Sequence, residues 1–279
     1  MRILNLGAGV QSTTLALMAE TGEIPKYDYA VFADVQSEPK SVYSHLEWLK
    51  SQLSYPVIVR SRGSLIDNIK NGINGDGHRY ISIPAFTGDE GKLGGVVRRQ
   101  CTNEYKIVVV EEAIRRDILN LPKWGRIPKD VEIIQSFGLS YDEQKRVLSV
   151  QRNHAHKPWK VEFPLYELEM SRSDCVKWLE DYGVPHVTPR SACTFCPYHS
   201  NVEWQRMKTE DPESWNQAVE VDRLLRDKTM RCNQGMRDQL WIHRYCKPLD
   251  QIDFEKDTRF AAGQSAFSFA SECEGMCGV

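Results

Sequence analysis

The sequence predicts an α/β protein: a Rossmann-like parallel sheet with helices on both faces, followed by a helical, cysteine-bearing C-terminal region. Three observations point there. Short apolar runs alternate with helix-like patterns from residue 2 onward. The first junction between them is rich in glycine. Seven of the eight cysteines then fall after residue 169, where strand-like runs give way to helical ones. The expected division is a domain over 1–168 and a second region over 169–279.

Arg2-Ile3-Leu4-Asn5-Leu6 reads as the first strand, and residues 7–13 break it. A helix over 14–20 follows. Residues 28–33 form a second strand ending on Asp34, and Glu38-Pro39 opens an amphipathic helix with Val42, Leu46 and Leu49 on its apolar face. Residues 56–60 make a third strand. Residues 71–98 lack periodicity, and with Gly63 they bring eight glycines into a short span, which reads as a long loop or lid. A helix over about 103–119 and a strand over 131–137 come next. From about Met170 the chain is helical, interrupted by a loop over 184–200, and the last twenty residues have the composition of a flexible tail.

Composition narrows the class. The 41% hydrophobic and 27% charged content is that of a globular chain, and no apolar run approaches a membrane span. The first residues make too short an apolar run for a secretory signal, so no membrane partner and a cytoplasmic location are expected. A formal charge of −2 gives no global attraction to polyanions; any such contact needs a local patch. Eight cysteines in a cytosolic setting point to metal or catalytic thiols rather than a disulfide scaffold.

Five segments carry chemistry. Between the first strand and helix, Gly7-Ala8-Gly9-Val10-Gln11-Ser12-Thr13 offers backbone N–H groups, two hydroxyls and a helix dipole to an anion. No Lys precedes Ser12, so it is no Walker A loop, and any strand–helix turn can contain glycine. Asp34 and Glu38, at the carboxyl end of the second strand, suit ribose hydroxyls or Mg²⁺; alternatively, Glu38 only favours its helix N-terminus. Arg98-Arg99-Gln100-Cys101, with Lys106, surrounds one thiol with cations, fitting a nucleophile or metal ligand better than an apolar core position. Gly138 to Arg146 is dense in charge and, taken alone, reads as a solvated turn. Last, Cys193-Thr194-Phe195-Cys196-Pro197 presents a C-x-x-C pair, which suits a metal, a cluster or a redox dithiol. Remaining ligands must be distant singletons, Cys101 and Cys175 being the candidates.

Together and in this order, Gly7-Ala8-Gly9-Val10-Gln11-Ser12, Asp34 with Glu38, Arg99-Gln100-Cys101-Thr102 with Tyr105-Lys106, Gly138-Leu139-Ser140 with Asp142, Glu143 and Arg146, and Arg190-Ser191-Ala192-Cys193 with Cys196-Pro197 resemble one family over residues 3–200. That family is the phosphoadenosine-phosphosulfate (PAPS) reductase-like branch of the ATP pyrophosphatase (PP-loop) superfamily. The resemblance implies an adenine nucleotide α-hydrolase-like fold, ATP or another adenine nucleotide with Mg²⁺, and a [4Fe-4S] cluster; zinc satisfies the same ligand geometry. Under it, Gly7, Ala8, Gly9, Gln11, Ser12 and Thr13 hold phosphates and Asp34 and Glu38 bind ribose or magnesium. Arg98, Arg99 and Lys106 neutralise phosphate charge, and Cys101, Cys175, Cys193 and Cys196 carry the cluster.

The implied activity is adenylylation of a substrate with pyrophosphate release, followed by sulfur transfer to tRNA or DNA from an unidentified donor. Two other readings remain open. In a sulfonucleotide reductase, Cys273 would be the nucleophile that releases sulfite. An accessory nucleotide-binding subunit of a nucleic-acid complex would need no reaction. Two departures distinguish this chain from cluster-bearing reductases: Gln100-Cys101 replaces a Cys-Cys pair, and Cys273 lies in an interrupted Glu-Cys-Glu-Gly setting. Gln11 stands where many relatives carry Asp. A homodimer is compatible with all of these.

Overall fold

A computed structural model describes residues 1–73, 81–230 and 236–255. Five parallel strands form the main sheet in the order β3-β2-β1-β6-β7: β1 (Arg2–Leu6), β2 (Tyr29–Asp34), β3 (Val57–Ser61), β6 (Ile134–Phe137) and β7 (Lys160–Glu162). Alternation along the strands sends side chains to two cores. Leu4, Leu6, Ala30 and Phe32 pack beneath α1 (Val10–Thr21), α2 (Lys40–Gln52) and α7 (Arg172–Tyr182). Ile3, Val31 and Ala33 pack on the opposite face with Val109, Val110, Ala113 and Ile114. Helices therefore cover both faces, the condition an all-parallel sheet requires.

Helix α1 is buried from Val10 to Ala19, including Gln11, Ser12, Thr13 and Thr14. A helix buried all round lies between two layers rather than on a surface, and here the layers are the sheet and α7. Its first turn begins at the end of β1, next to β6. Strand order reverses at that point, since β2 and β3 lie on one side of β1 and β6 and β7 on the other. In open parallel sheets this crevice beyond the strand ends is where ligands bind.

The expected helix over 103–119 spans Asn103–Ile118, with α4 (Val108–Glu112) between two π-helical turns. The expected loop over 71–98 is corrected in part. Helix α3 (Leu65–Asn71) runs into it, and β4 (Ala85–Thr87) and β5 (Gly95–Val97) form a hairpin within it. A third strand, β8 (Leu240–Trp241), pairs with β4 from about 150 residues away. Three-residue strands have too little periodicity to read, and their partner is remote. This small antiparallel sheet, α8 (Asn201–Glu210) and α9 (Pro212–Arg226) enclose a third core around Tyr105, Phe195 and Trp204. The solvated turn expected over 138–146 is likewise corrected: Leu139, Ser140 and Glu143 are buried where the chain enters α5 (Gln144–His154). No helix among the described residues is long and apolar enough to cross a membrane.

Candidate functional site

At the end of β1 the chain turns through Ala8, whose φ of 56° is left-handed, and Gly9, which is extended (φ −107°, ψ 179°) and caps α1. This alternation turns successive amides toward one point. The N–H groups of Gly7 and Gly9 donate to Ser12 Oγ at 3.2 and 3.3 Å. The Ser12 hydroxyl oxygen thus occupies the kind of position a phosphate oxygen takes at such a loop, at the positive end of the α1 dipole.

Gly138, arriving from β6, lies so close that a Cβ on it would meet Ser12 N at 3.0 Å and Gln11 C at 3.2 Å. Ser191 flanks the loop on another side, its N 3.5 Å from where a Gly9 Cβ would lie. The Ser191 hydroxyl is buried with no hydrogen-bond partner. Sequence reading placed Ser191 in a motif without assigning it this role.

Two loop residues depart from expectation. Thr13 directs its hydroxyl away from the loop, to His45 Nε2 at 2.8 Å; His45 Nδ1 in turn meets His186 Nε2 at 2.7 Å. Through its side chain Thr13 thereby ties α1 to α2. A hydroxyl in the first turn of a fully buried helix can face either way, and a histidine 32 residues on decides it. Gln11 is equally committed. Its amide nitrogen donates to Ser140 Oγ (3.2 Å) and Glu143 Oε2 (2.8 Å), and its carbonyl accepts from Arg172 Nη1 (3.2 Å). Arg146 pairs with Glu143. The neutral amide thus bridges a carboxylate and a guanidinium. Burial, and next the nearby Arg190, lower the pKa of Arg172.

The second half of the site forms where β2 ends. Asp34 Oδ1 accepts from Gln36 N (2.8 Å) and Tyr43 OH (2.9 Å), and Gln36 adopts a φ of 53°. Left-handed non-glycine residues thus follow two adjacent parallel strands, at the same end of the sheet. The side chain of Glu38 is fully buried, with Oε1 3.4 Å from Lys106 Nζ and Oε2 without a hydrogen-bond partner. Burial raises its pKa, Lys106 opposes that rise, and the Asp34 charge adds to it. Glu38 is thus an interior carboxylate beside Lys106 and not a solvated one at a helix end. The Ser37 hydroxyl is also buried and unpartnered, and Thr194 N donates to Ser37 O at 2.9 Å. Arg99 lies over the Tyr198 ring at 5.8 Å. The basic segment, the Glu38 corner and the C-x-x-C loop are therefore neighbours.

The four cysteines are not one set. Cys101 and Cys193 both flank the third core, and Cys196 N donates to Cys193 O at 3.0 Å. The ring nitrogen Nε2 of His199 lies 2.9 Å from that same carbonyl. Cys175 lies in the first core, fully buried where α7 meets α1, and burial pushes its thiol up to about 12. It shares the buried side of α7 with Leu179, in the heart of a helix–helix seam. Its surroundings are those of a packed side chain, in a different core from the one that Cys101 and Cys193 flank. Among the described residues, no group of three or more His, Cys, Asp or Glu side chains is arranged to hold a metal ion. Cys273 and the tail lie outside the described residues. No protein-family model and no curated protein matches the chain.

Proposed function

We propose that this protein binds an adenine nucleotide in the crevice between β1 and β6 and belongs to the PAPS reductase-like branch of the PP-loop superfamily, with an adenine nucleotide α-hydrolase-like fold. The observation that carries the reading is a set of buried, unpartnered polar atoms. Ser191 Oγ lies against the glycine loop, and Ser37 Oγ and Glu38 Oε2 lie in the corner after β2. Unmet buried groups cost free energy, and a polar ligand in this crevice would satisfy these three. A nucleotide with its Mg²⁺ supplies phosphate oxygens to hydroxyls and amides and a cation to carboxylates.

The reaction assigned is adenylylation. A substrate oxygen attacks the α-phosphorus of ATP, a new P–O bond forms, and the bond to the bridging oxygen breaks to release pyrophosphate. The Gly7 and Gly9 amides and the α1 dipole hold negative charge that builds on the leaving phosphates. Asp34 and Glu38 hold Mg²⁺ or the ribose. Lys106, held beside Glu38, and Arg99 neutralise charge around the α-phosphate. A sulfur species then displaces AMP from the activated acceptor, a tRNA or DNA. A [4Fe-4S] or zinc centre fits the chain only in part. Cys101, Cys193 and Cys196 would be its nearest candidates, but among the described residues no three such side chains are arranged to hold a metal, so no step is routed through such a centre.

ATP–pyrophosphate exchange with candidate acceptors, beside equilibrium binding of ATP, tests the reading. Exchange that disappears in Lys106→Ala, with ATP still bound, supports it. A protein that binds no adenine nucleotide overturns it.

A further inference from the structure

The segment joining the last π-helical turn to β6 lies outside the site above and carries an exposed aromatic side chain. Trp124 is 87% exposed, the most exposed large hydrophobic residue among those described. It stands in a turn closed by Gly125 N donating to Pro122 O at 2.7 Å. The turn is held from behind. Arg116 donates to the carbonyls of Leu121 (2.7 Å) and Lys123 (2.6 Å), and Arg115 to that of Gly125 (3.3 Å). A Cβ on Gly125 would meet Pro122 Cδ at 2.8 Å, so the turn depends on glycine there.

Around the ring, charge is one-sided. Between 115 and 132 the chain carries Arg115, Arg116, Lys123, Arg126 and Lys129 against Asp117, Asp130 and Glu132. Two of those acids are already paired, Asp117 with Arg60 and Glu132 with Lys160. Lys123, Arg126 and Lys129 are exposed, and Lys123 Nζ lies 5.5 Å from the Trp124 ring centre. The turn therefore presents one exposed aromatic face beside a local excess of cations, on a chain whose net charge is −2.

We infer that the Trp124 turn is a docking surface for an unpaired stretch of nucleic acid: a base stacks on the indole while Lys123, Arg126 and Lys129 contact phosphates. Every base has a face to stack, so such recognition tolerates sequence. Because Arg115 and Arg116 hold the turn in advance, little ordering is left to pay on binding. The turn precedes β6, at the amino-terminal ends of the strands, whereas the nucleotide site lies beyond their carboxyl ends. A strand held here is therefore a flanking segment of a larger substrate rather than the reacting nucleotide.

Fluorescein-labelled poly(dT), poly(U) and a duplex, titrated at two salt concentrations, test the inference, with ATP titrated separately. Binding of a single strand should weaken about tenfold in Trp124→Ala and return in Trp124→Phe. The slope of log affinity on log salt should fall by about 0.7 for each cation removed in Arg126→Ala and Lys129→Ala. The dT and U arms separate DNA from RNA. Unaltered affinity in Trp124→Ala, or binding of duplex alone, overturns the inference. ATP binding unchanged in Trp124→Ala separates this outcome from any failure of the nucleotide reading.

Discussion

Gly138 and Gly9 look alike in sequence, two glycines beside a phosphate-type loop, yet their surroundings differ. A Cβ at Gly138 would press on the backbone of Ser12 and Gln11 at 3.0–3.2 Å, and a helix's first turn cannot yield without moving the amides it presents. At Gly9 the nearest atom is 3.5 Å away, an ordinary contact. Gly138→Ala should therefore cost about 1–3 kcal/mol of stability, the usual range for overpacking, and weaken ATP binding. Gly9→Ala should melt within a few degrees of the parent. Thermal melts and ATP titrations of both variants check this, and equal losses would contradict it. Local motifs made much of this scale legible: Gly7 and Asp34 stand at strand ends, Ser12 in the first turn of α1, and Glu38 beside Lys106. Thr13, Ser37 and Ser191 were not legible in role: the Thr13 hydroxyl turns to a histidine 32 residues on, and Ser191 meets the loop from about 180 residues away.

Helix α7 shows why the cysteines mislead at the scale of elements. Its hydrophobic positions place Cys175 and Leu179 one turn apart on one face, and that face packs against α1. A thiol there behaves as a small apolar side chain, whereas Cys193 and Cys196 sit in a loop between Pro189 and Pro197. Cys175→Ala should lower stability by about 1–2 kcal/mol for the lost packing and leave bound iron or zinc unchanged. Cys193→Ala should lower metal content. Denaturant titration with metal analysis distinguishes them, and metal lost from the Cys175 variant would restore it as a ligand. Strands β1, β2 and β6 were readable because parallel strands buried on both faces form apolar runs, and the partly exposed edge strand β3 from its β-branched Val57-Ile58-Val59. Strand β7 carries only Lys160-Val161-Glu162, and the β4–β5 hairpin depends on β8 for its third strand, so neither stands out locally.

For the whole molecule, the buried imidazoles set the response to acid. His45, between Thr13 and His186, has its pKa lowered to about 4 by burial and then by the facing His186. His199, beneath the C-x-x-C loop, is also lowered to about 4: burial dominates, Arg190 assists, and Glu203 and the Cys193 carbonyl oppose. Unfolded histidines take up protons near pH 6.5, while these two resist until about 4. Between those values the unfolded chain binds more protons, so stability falls as pH drops from 6.5 toward 4 and the penalty levels off below. Each imidazole is worth on the order of 3 kcal/mol over the full window. Glu203, lowered mainly by Arg190 against the opposing effect of burial, loses stability in the same direction as its carboxylate is protonated. Glu38 runs oppositely: its raised pKa stabilises the fold below the unfolded carboxylate value, and that contribution is lost as pH rises through the native one. Between pH 6.5 and 5 the two histidines together withhold up to two protons from the native state while Glu38 takes up at most one, so the histidines dominate. Urea midpoints should therefore fall at each step from pH 7.5 to 5, and His45→Gln should shallow the dependence by about one proton's worth. Midpoints unchanged across that range would mean that the imidazoles ionise in place, and that Thr13 and the Cys193 carbonyl are held by something other than neutral rings.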